Sequence, residues 1–307
     1  MPNKRSNTRL LIVFAILLVL VLVLFTRKDS QKDRSFNKQL VELQHDEITQ
    51  LKLFSKQNNH QELSLQKEGE QWMISDGQEK YRASNSLVEQ MITAMEDLQA
   101  KSLVSNSKDK WDEYEVSDSL AAAKVEVYKD AKKLADVYIG KFKFSQPRNM
   151  STYVRLSGKK EVYKVEGFLS STFNRVMNDF RDKTVLKDPT ANWTKLSFDY
   201  PSDSSFVLSK TNGKWMLDGV LADSVGCAGY VNSLKNQSGT SISSITPGGS
   251  VLYQLTVERE NLAPVVLQVK QNGNENLLSS SENQEVWFND KSLIEKIFVS
   301  KSKFKIH

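Results

Sequence analysis

Reactive and metal-binding side chains are scarce in this 307-residue chain. There is a single cysteine, Cys227, so no internal disulfide can form and bonding leaves the redox compartment open. Flanked by Gly226, Ala228 and Gly229, its thiol reads as a small packed hydrophobe rather than a nucleophile. The three histidines, His45, His60 and His307, have neither i, i+4 spacing nor a nearby cysteine, and His45 and His60 are expected to be exposed beside a polar strand pair. No GxGxxG, P-loop or GxSxG pattern occurs. Gly248-Gly249 follows Pro247 without the strand-to-helix context of a phosphate cradle. Asp109, Asp112, Glu113 and Glu115 surround Trp111 but lack the alternating ligand spacing of a calcium loop, and read as a solvated turn. These absences argue against an enzyme, and no catalytic residue, cofactor or metal ligand is expected.

The body of the protein also lacks a basic excess. The formal charge is +5, yet residues 1–38 hold Lys4, Arg5, Arg9, Arg27, Lys28, Lys32, Arg34 and Lys38 against Asp29 and Asp33. The positive charge therefore belongs to the N-terminal segment, and the near-neutral remainder offers no electrostatic footprint for nucleic acid.

One long apolar run is present. Leu10 to Phe25 contains no polar residue. Sixteen helical residues reach about 24 Å, slightly short of the roughly 30 Å hydrocarbon core. Thr26 extends the helix, and Arg9 and Arg27 are placed to snorkel. A cleaved signal peptide is the rival reading. The following Thr26-Arg-Lys-Asp-Ser-Gln-Lys-Asp-Arg34 has neither a small-x-small cleavage pattern nor a lipobox cysteine, which favours an uncleaved anchor. Three basic residues precede the run and five follow closely. That bias alone favours the opposite orientation, but long domains translocate largely regardless of charge. The expected layout is a cytoplasmic tail over 1–9, a transmembrane helix over 10–26 and a juxtamembrane linker over 27–45.

Behind the anchor, alternation predicts strands around Leu51–Phe54, Leu63–Lys67 and Trp72–Ile74, with Glu68–Gln71 as a turn. Leu87, Met91, Met95 and Leu98, widened by Val88 and Ile92, predict a helix capped by Ser84 or Ser86. Strands follow at Val125–Tyr128, Leu134–Ile139, Thr152–Leu156 and Glu161–Val165. A second helix carries Leu169, Phe173, Val176, Met177 and Phe180, and Asp188-Pro189 marks a boundary. The second half echoes the first. Leu65–Ile74 aligns with Leu208–Leu217, matching Trp72 to Trp215 and Met73 to Met216, and Asn212-Gly213 is a hairpin turn signal. Ala83, Met91 and Met95 match Ala222, Tyr230 and Leu234, and Glu161-Val-Tyr163 matches Glu285-Val-Trp287. The offset falls along the chain from 143 through 139 to 124, as loop deletions in a second copy would produce. The expected fold is α+β: an N-terminal single transmembrane helix followed by two related modules of antiparallel strands with packed helices, at 46–188 and 193–307.

The succession of short anchor and basic flank, Ser35-Phe36, Asp46–Leu53, Leu63–Ile74 and a helix ending near Leu98 resembles the bacterial family known as domain of unknown function 4340, most clearly over residues 36–188. The resemblance implies a membrane-anchored accessory protein on the periplasmic or extracytoplasmic side of the inner (cytoplasmic) membrane, associated with ABC transporter subunits. It implies no catalytic residue. The sequence departs from the family pattern at Gly226–Gly229, which is expected to weaken the second module's helix.

Two function classes follow. One is a structural or interaction protein assisting a membrane complex. The other is a module holding a peptide, glycan or lipid between the repeats. A deep apolar pocket between the modules favours the ligand, and an exposed apolar or edge-strand patch favours a protein partner. Trp111 and Trp193 have no partner in the repeat alignment. An exposed one would mark a binding surface.

Overall fold

A computed structural model of the protein describes residues 38–146, 149–188 and 192–306, together with Phe14 and Leu17. The expected tail and most of the expected span lie outside the described residues. Phe14 and Leu17 are helical and exposed. Among the described residues, no helix is long and apolar enough to cross a membrane.

The first module begins earlier than residue 46. Leu40 N donates to Leu98 O (3.0 Å), and Val41 is buried, so the second half of the expected linker is part of the fold. Alternation then builds β1 (Gln50–Ser55), β2 (Glu62–Glu68) and β3 (Gln71–Ser75), which bury Leu51, Leu53, Leu63, Leu65, Trp72 and Ile74 on one face. A short β4 (Lys80–Arg82), not expected from its charged sequence, leads to helix α1 (Asn85–Glu96). Ser84 is the N-cap residue, but its hydroxyl faces Ser86 Oγ at 3.1 Å instead of a helix N–H. β5 (Ala100–Ser105), β6 (Ala123–Lys129), β7 (Lys132–Ser145), β8 (Asn149–Leu156) and β9 (Val162–Glu166) complete a nine-stranded antiparallel sheet of order β4-β3-β2-β1-β6-β7-β8-β9-β5.

The expected closing helix is broken in two, α2 (Leu169–Phe173) and α3 (Met177–Phe180). The break has a local cause. Ser55 Oγ donates to Arg175 O at 2.5 Å and Gln57 N donates to Asn174 Oδ1 at 2.9 Å, so acceptors of the intervening residues are taken by β1 and its loop.

After β10 (Thr184–Lys187) the second module repeats this order. Its elements are β11 (Trp193–Asp199), β12 (Phe206–Thr211), β13 (Lys214–Leu217), β14 (Val220–Leu221), α4 (Ser224–Leu234), β15 (Asn236–Ser238), β16 (Val251–Arg259), β17 (Leu262–Asn272), β18 (Glu275–Ser280), β19 (Asn283–Phe288) and α5 (Lys291–Ile297). The eight-stranded sheet runs β14-β13-β12-β11-β16-β17-β18-β19. Register is shared as well as order: Leu51 lies between Leu65 and Val127, and Leu196 between Leu208 and Val257. Closing contacts correspond too. Ala83 N donates to Trp72 O (2.8 Å) and Ser84 N to Phe180 O (2.7 Å), while Ala222 N donates to Trp215 O (2.9 Å) and Asp223 N to Phe304 O (3.0 Å).

Helix α4 is intact despite its glycines. Asp223 caps it, accepting from Val225 N and Gly226 N, and a Cβ on Gly226 would meet Asp223 Oδ2 at 2.8 Å and Lys303 O at 3.1 Å. The glycine admits a neighbouring chain, and the cap offsets its low helix propensity.

The modules differ in one pairing. β5 joins its own sheet beside β9, whereas β15 pairs with β10 in a separate two-stranded sheet. β10 thus sits with the second module, and its Val185 and Leu186 are buried in the second core. The passage between modules therefore precedes the Asp188-Pro189 signal.

Candidate interaction surfaces

The seam between the modules is polar and hydrogen-bonded. Arg82 Nη1 donates to Glu282 O (2.9 Å) and Asn283 Nδ2 to Asp182 O (2.8 Å), while Glu282 Oε2 accepts from Lys187 N (2.9 Å) within the second module. Arg259 pairs with Glu282 at 2.9 Å from within the second module. The crevice beside this seam has a volume of about 390 Å³ and is lined by polar groups such as Ser84, Asp179, Lys183 and Asn236, with Leu87 and Leu186 among them. This is not the deep apolar cleft that a ligand held between repeats requires.

A larger cavity of about 1060 Å³ lies on the second module alone. Tyr200, Tyr253 and Phe298 form its aromatic wall, with ring centroids 5.5 to 6.3 Å apart, and Glu275, Lys291 and Lys301 are among its charged lining. Tyr200 Oη donates to Val299 O at 2.8 Å, and burial, helped by Tyr253, pushes its phenol well above the usual range. The ring is a neutral wall at any physiological pH. Sequence reading missed this wall because its residues come from three distant segments.

The residues singled out in the sequence fall apart in space. Cys227 is buried, and burial, reinforced by Asp223, pushes its thiol up to about 11, so it packs as a hydrophobe. His45 lies between Glu96 (3.3 Å) and Glu89 (2.5 Å) of α1. The Glu96 hydrogen bond raises its pKa against a small desolvation penalty, with Glu89 adding to the rise. His60 is half-buried at a left-handed turn position. The Asp109–Glu115 segment is a turn with a Lys110–Glu113 pair at 2.8 Å. Gly248-Gly249 runs directly into strand β16. Among the described residues, no three His, Cys, Asp or Glu side chains are grouped to hold a metal.

Neither unmatched tryptophan marks a surface. Trp193 is buried, its Nε1 donating to Asp188 Oδ2 at 2.8 Å. Trp111 is half-buried, donates to Lys160 O at 3.1 Å, and lies 3.8 Å from the Arg155 guanidinium.

Exposed apolar groups gather elsewhere. Strand β14 is an outer edge of the second sheet. Its Val220 is 70% exposed and its Leu221 47%, with Val225 of α4 at 82% close by in the chain. The corresponding edge of the first sheet, β4, carries Lys80 and Arg82 instead, the usual protection of a free strand edge. A second cluster, Phe144, Met150 and Phe168, lies at the end of the β7–β8 hairpin.

Fold and surfaces together define a class: a tandem of two antiparallel α+β modules whose distinctive features are edges and tips. The chain matches the family described as "Domain of unknown function (DUF4340)" over residues 75–241, more than half its length, and it belongs to that family. The match runs from the end of β3 past β15 and so straddles both modules. No curated protein and no solved structure matches the chain.

Proposed function

We propose that this protein is a non-enzymatic, single-pass membrane protein whose two modules, arisen by duplication, lie on the extracytoplasmic side of the cytoplasmic membrane as an accessory or scaffold component of an ABC-transporter-type complex. The observation that carries the partner reading is the outer edge of β14, where Val220 and Leu221 are exposed beside Val225. An incoming strand paired there gains main-chain hydrogen bonds and covers these side chains. The apolar run Leu10–Phe25 supports the tether, and the shared strand order and register support the duplication.

A photo-crosslinking amino acid at Val220, in full-length protein in its native membrane, should capture a transporter subunit. Val220→Lys should remove capture by a crosslinker placed at Leu221 while changing stability by less than about 0.5 kcal/mol, as expected of an exposed site. Absence of any crosslink at 220 and 221 from protein that resists carbonate extraction would sink the partner reading.

The cavity walled by Tyr200, Tyr253 and Phe298 favours a second reading, an extracytoplasmic ligand-binding module for a peptide, glycan or lipid. That ligand would occupy the second module rather than the space between repeats.

A further inference from the structure

The end of the β7–β8 hairpin carries large apolar side chains that the first core does not use. Phe144 is 56% exposed, Met150 46% and Phe168 44%. Phe144 and Met150 are cross-strand partners, and the tilted Phe142 and Phe168 rings meet with centroids 4.2 Å apart, so the four form one continuous patch. Gly167 N donates to Met150 O at 2.9 Å, which ties Phe168 to the hairpin. Lys141 and Lys143 alternate with the phenylalanines along β7 and are exposed. The equivalent hairpin of the second module, β17–β18, ends in Asn272-Gly273-Asn274 instead. The apolar tip is therefore not demanded by the topology.

The position of the tip relative to the start of the domain identifies its occupant. Ala100 N donates to Lys38 O at 2.7 Å, Ala100 pairs with Val165, Val165 with Thr152, and Thr152 with Phe142. Four strand spacings separate Lys38 from Phe142, about 19 Å at roughly 4.8 Å each. The segment between the expected transmembrane helix and Lys38, residues 27–37, spans at most about 40 Å when fully extended. The tip thus lies at the end of the sheet where the tether arrives, close enough for both to meet one bilayer. Exposed phenylalanine and methionine alternating with lysine match the apolar-and-cationic composition that partitions into an anionic membrane interface.

We infer that the β7–β8 hairpin tip inserts into the outer surface of the bilayer that holds the chain's own anchor, giving the first module a second, reversible membrane contact; this rests on the anchored reading above. The patch then fixes how the body stands on the membrane and leaves the β14 edge free.

The test uses full-length protein reconstituted into vesicles, in a Cys227→Ala background, with an environment-sensitive fluorophore on Phe144→Cys or, as control, on Val220→Cys. In vesicles of mixed phosphatidylcholine and phosphatidylglycerol, the probe at 144 should shift to the blue and be quenched by lipids brominated near the headgroup, while the probe at 220 stays aqueous. Phosphatidylcholine alone should give a smaller shift if the lysines contribute, and Met150→Ser should reduce the shift without affecting folding. A probe at 144 as aqueous as that at 220, on protein that survives carbonate washing, overturns the inference and leaves the anchor standing. Release of the protein by carbonate overturns the anchor and the inference together.

Discussion

The two modules share strand order and register but not the contents of their cores or the treatment of their outer faces. At corresponding positions the first core places Leu53, Leu63 and Met91 where the second places Phe198, Phe206 and Tyr230. The matched pairs Trp72 and Trp215, and Phe180 and Phe304, are aromatic in both. In the second module the rings touch: Phe198 and Phe206 stack at 4.3 Å, and Phe304 meets Tyr230 edge-on at 5.2 Å. Tyr230 is buried and its hydroxyl donates to Ile297 O at 2.5 Å, which satisfies the polar atom that this ring brings into the core. An aliphatic and an aromatic set fill the same sheet-and-helix frame, so the frame is specified by where apolar residues alternate more than by which they are.

The outer faces differ further. The first module's second face is covered by the segment between β5 and β6, which adds a small core of Val116, Ala121, Tyr138 and Val162. Arg155 is buried there, its guanidinium between Trp111 (3.8 Å) and Tyr138 (3.9 Å), and its Nε donates to Val116 O at 2.9 Å. Gly140 admits this cover: a Cβ would meet Tyr114 O at 2.5 Å and Val116 Cγ1 at 2.6 Å. The second module has Gln268, Ser279 and Lys270 where the first has Tyr138, Arg155 and Gly140. Gln268 Nε2 donates to Gln254 Oε1 at 2.7 Å across an uncovered polar face. One module has a polar outer face and an apolar edge; the other has a covered face, a charged edge and an apolar tip.

The sharpest way to break this comparison is to remove each module's matched tryptophan. Trp72→Ala should cost about 3–5 kcal/mol, the usual range for a large buried aromatic. Trp215→Ala should cost less, because Trp215 retains 8% exposure against 1% for Trp72. Hydrogen exchange read by mass spectrometry should show lost protection confined to the strands of the substituted module. Loss spreading across both would mean that the polar seam couples them into a single cooperative unit.

Acid should separate the modules by a smaller amount. Burial works to raise the Glu126 carboxyl, but hydrogen bonds from Lys124, Tyr128 and Lys133 outweigh it and hold the group at about 2, against 4.5 when unfolded. A depressed carboxyl contributes stability above its unfolded value and loses it as pH falls toward its folded one. The contribution is on the order of 3 kcal/mol near neutrality and fades between pH 4.5 and about 2. The second module has Thr256 at this position. Glu126→Gln should therefore destabilise the first module at neutral pH, measured by urea unfolding, and its difference from wild type should vanish toward pH 2. A difference that does not change with pH would remove the charge network as its cause.

The smallest expected effect sharpens the contrast in outer faces. Gly140→Ala forces a methyl group against backbone and should cost about 1–3 kcal/mol, as overpacking does. Lys270→Ala, at the matching site of the uncovered face, should stay within about 0.5 kcal/mol. Equal melting shifts for the two would mean that the covering segment yields to the methyl group.

Much of the frame was legible in the sequence because its signals are local. Period-two alternation marks β1 to β3 and β6 to β9, and the apolar stripe of Leu87, Met91, Met95 and Leu98, widened by Val88 and Ile92, marks α1. The repeated Gly-x-x-Trp-Met and Gly-x-Trp-Met turns expose the tandem. The charged edge β4, the polar β5 and the broken closing helix were not legible, since each depends on a partner far along the chain: β5 on β9, and Arg175 on Ser55.

By itself the sequence determined that apolar residues recur with the periods of strands and helices, that the second half repeats the first, and that positive charge gathers around one apolar run near the N-terminus. Only the tertiary structure decided that β10 joins the second module by pairing with β15, that Phe144 and Val220 are left uncovered, and that a glycine at 140 is needed where a lysine suffices at 270. The physical reason is range. Periodicity acts between residues a few positions apart, whereas pairing, covering and exposure are settled between segments that meet only once the chain has folded.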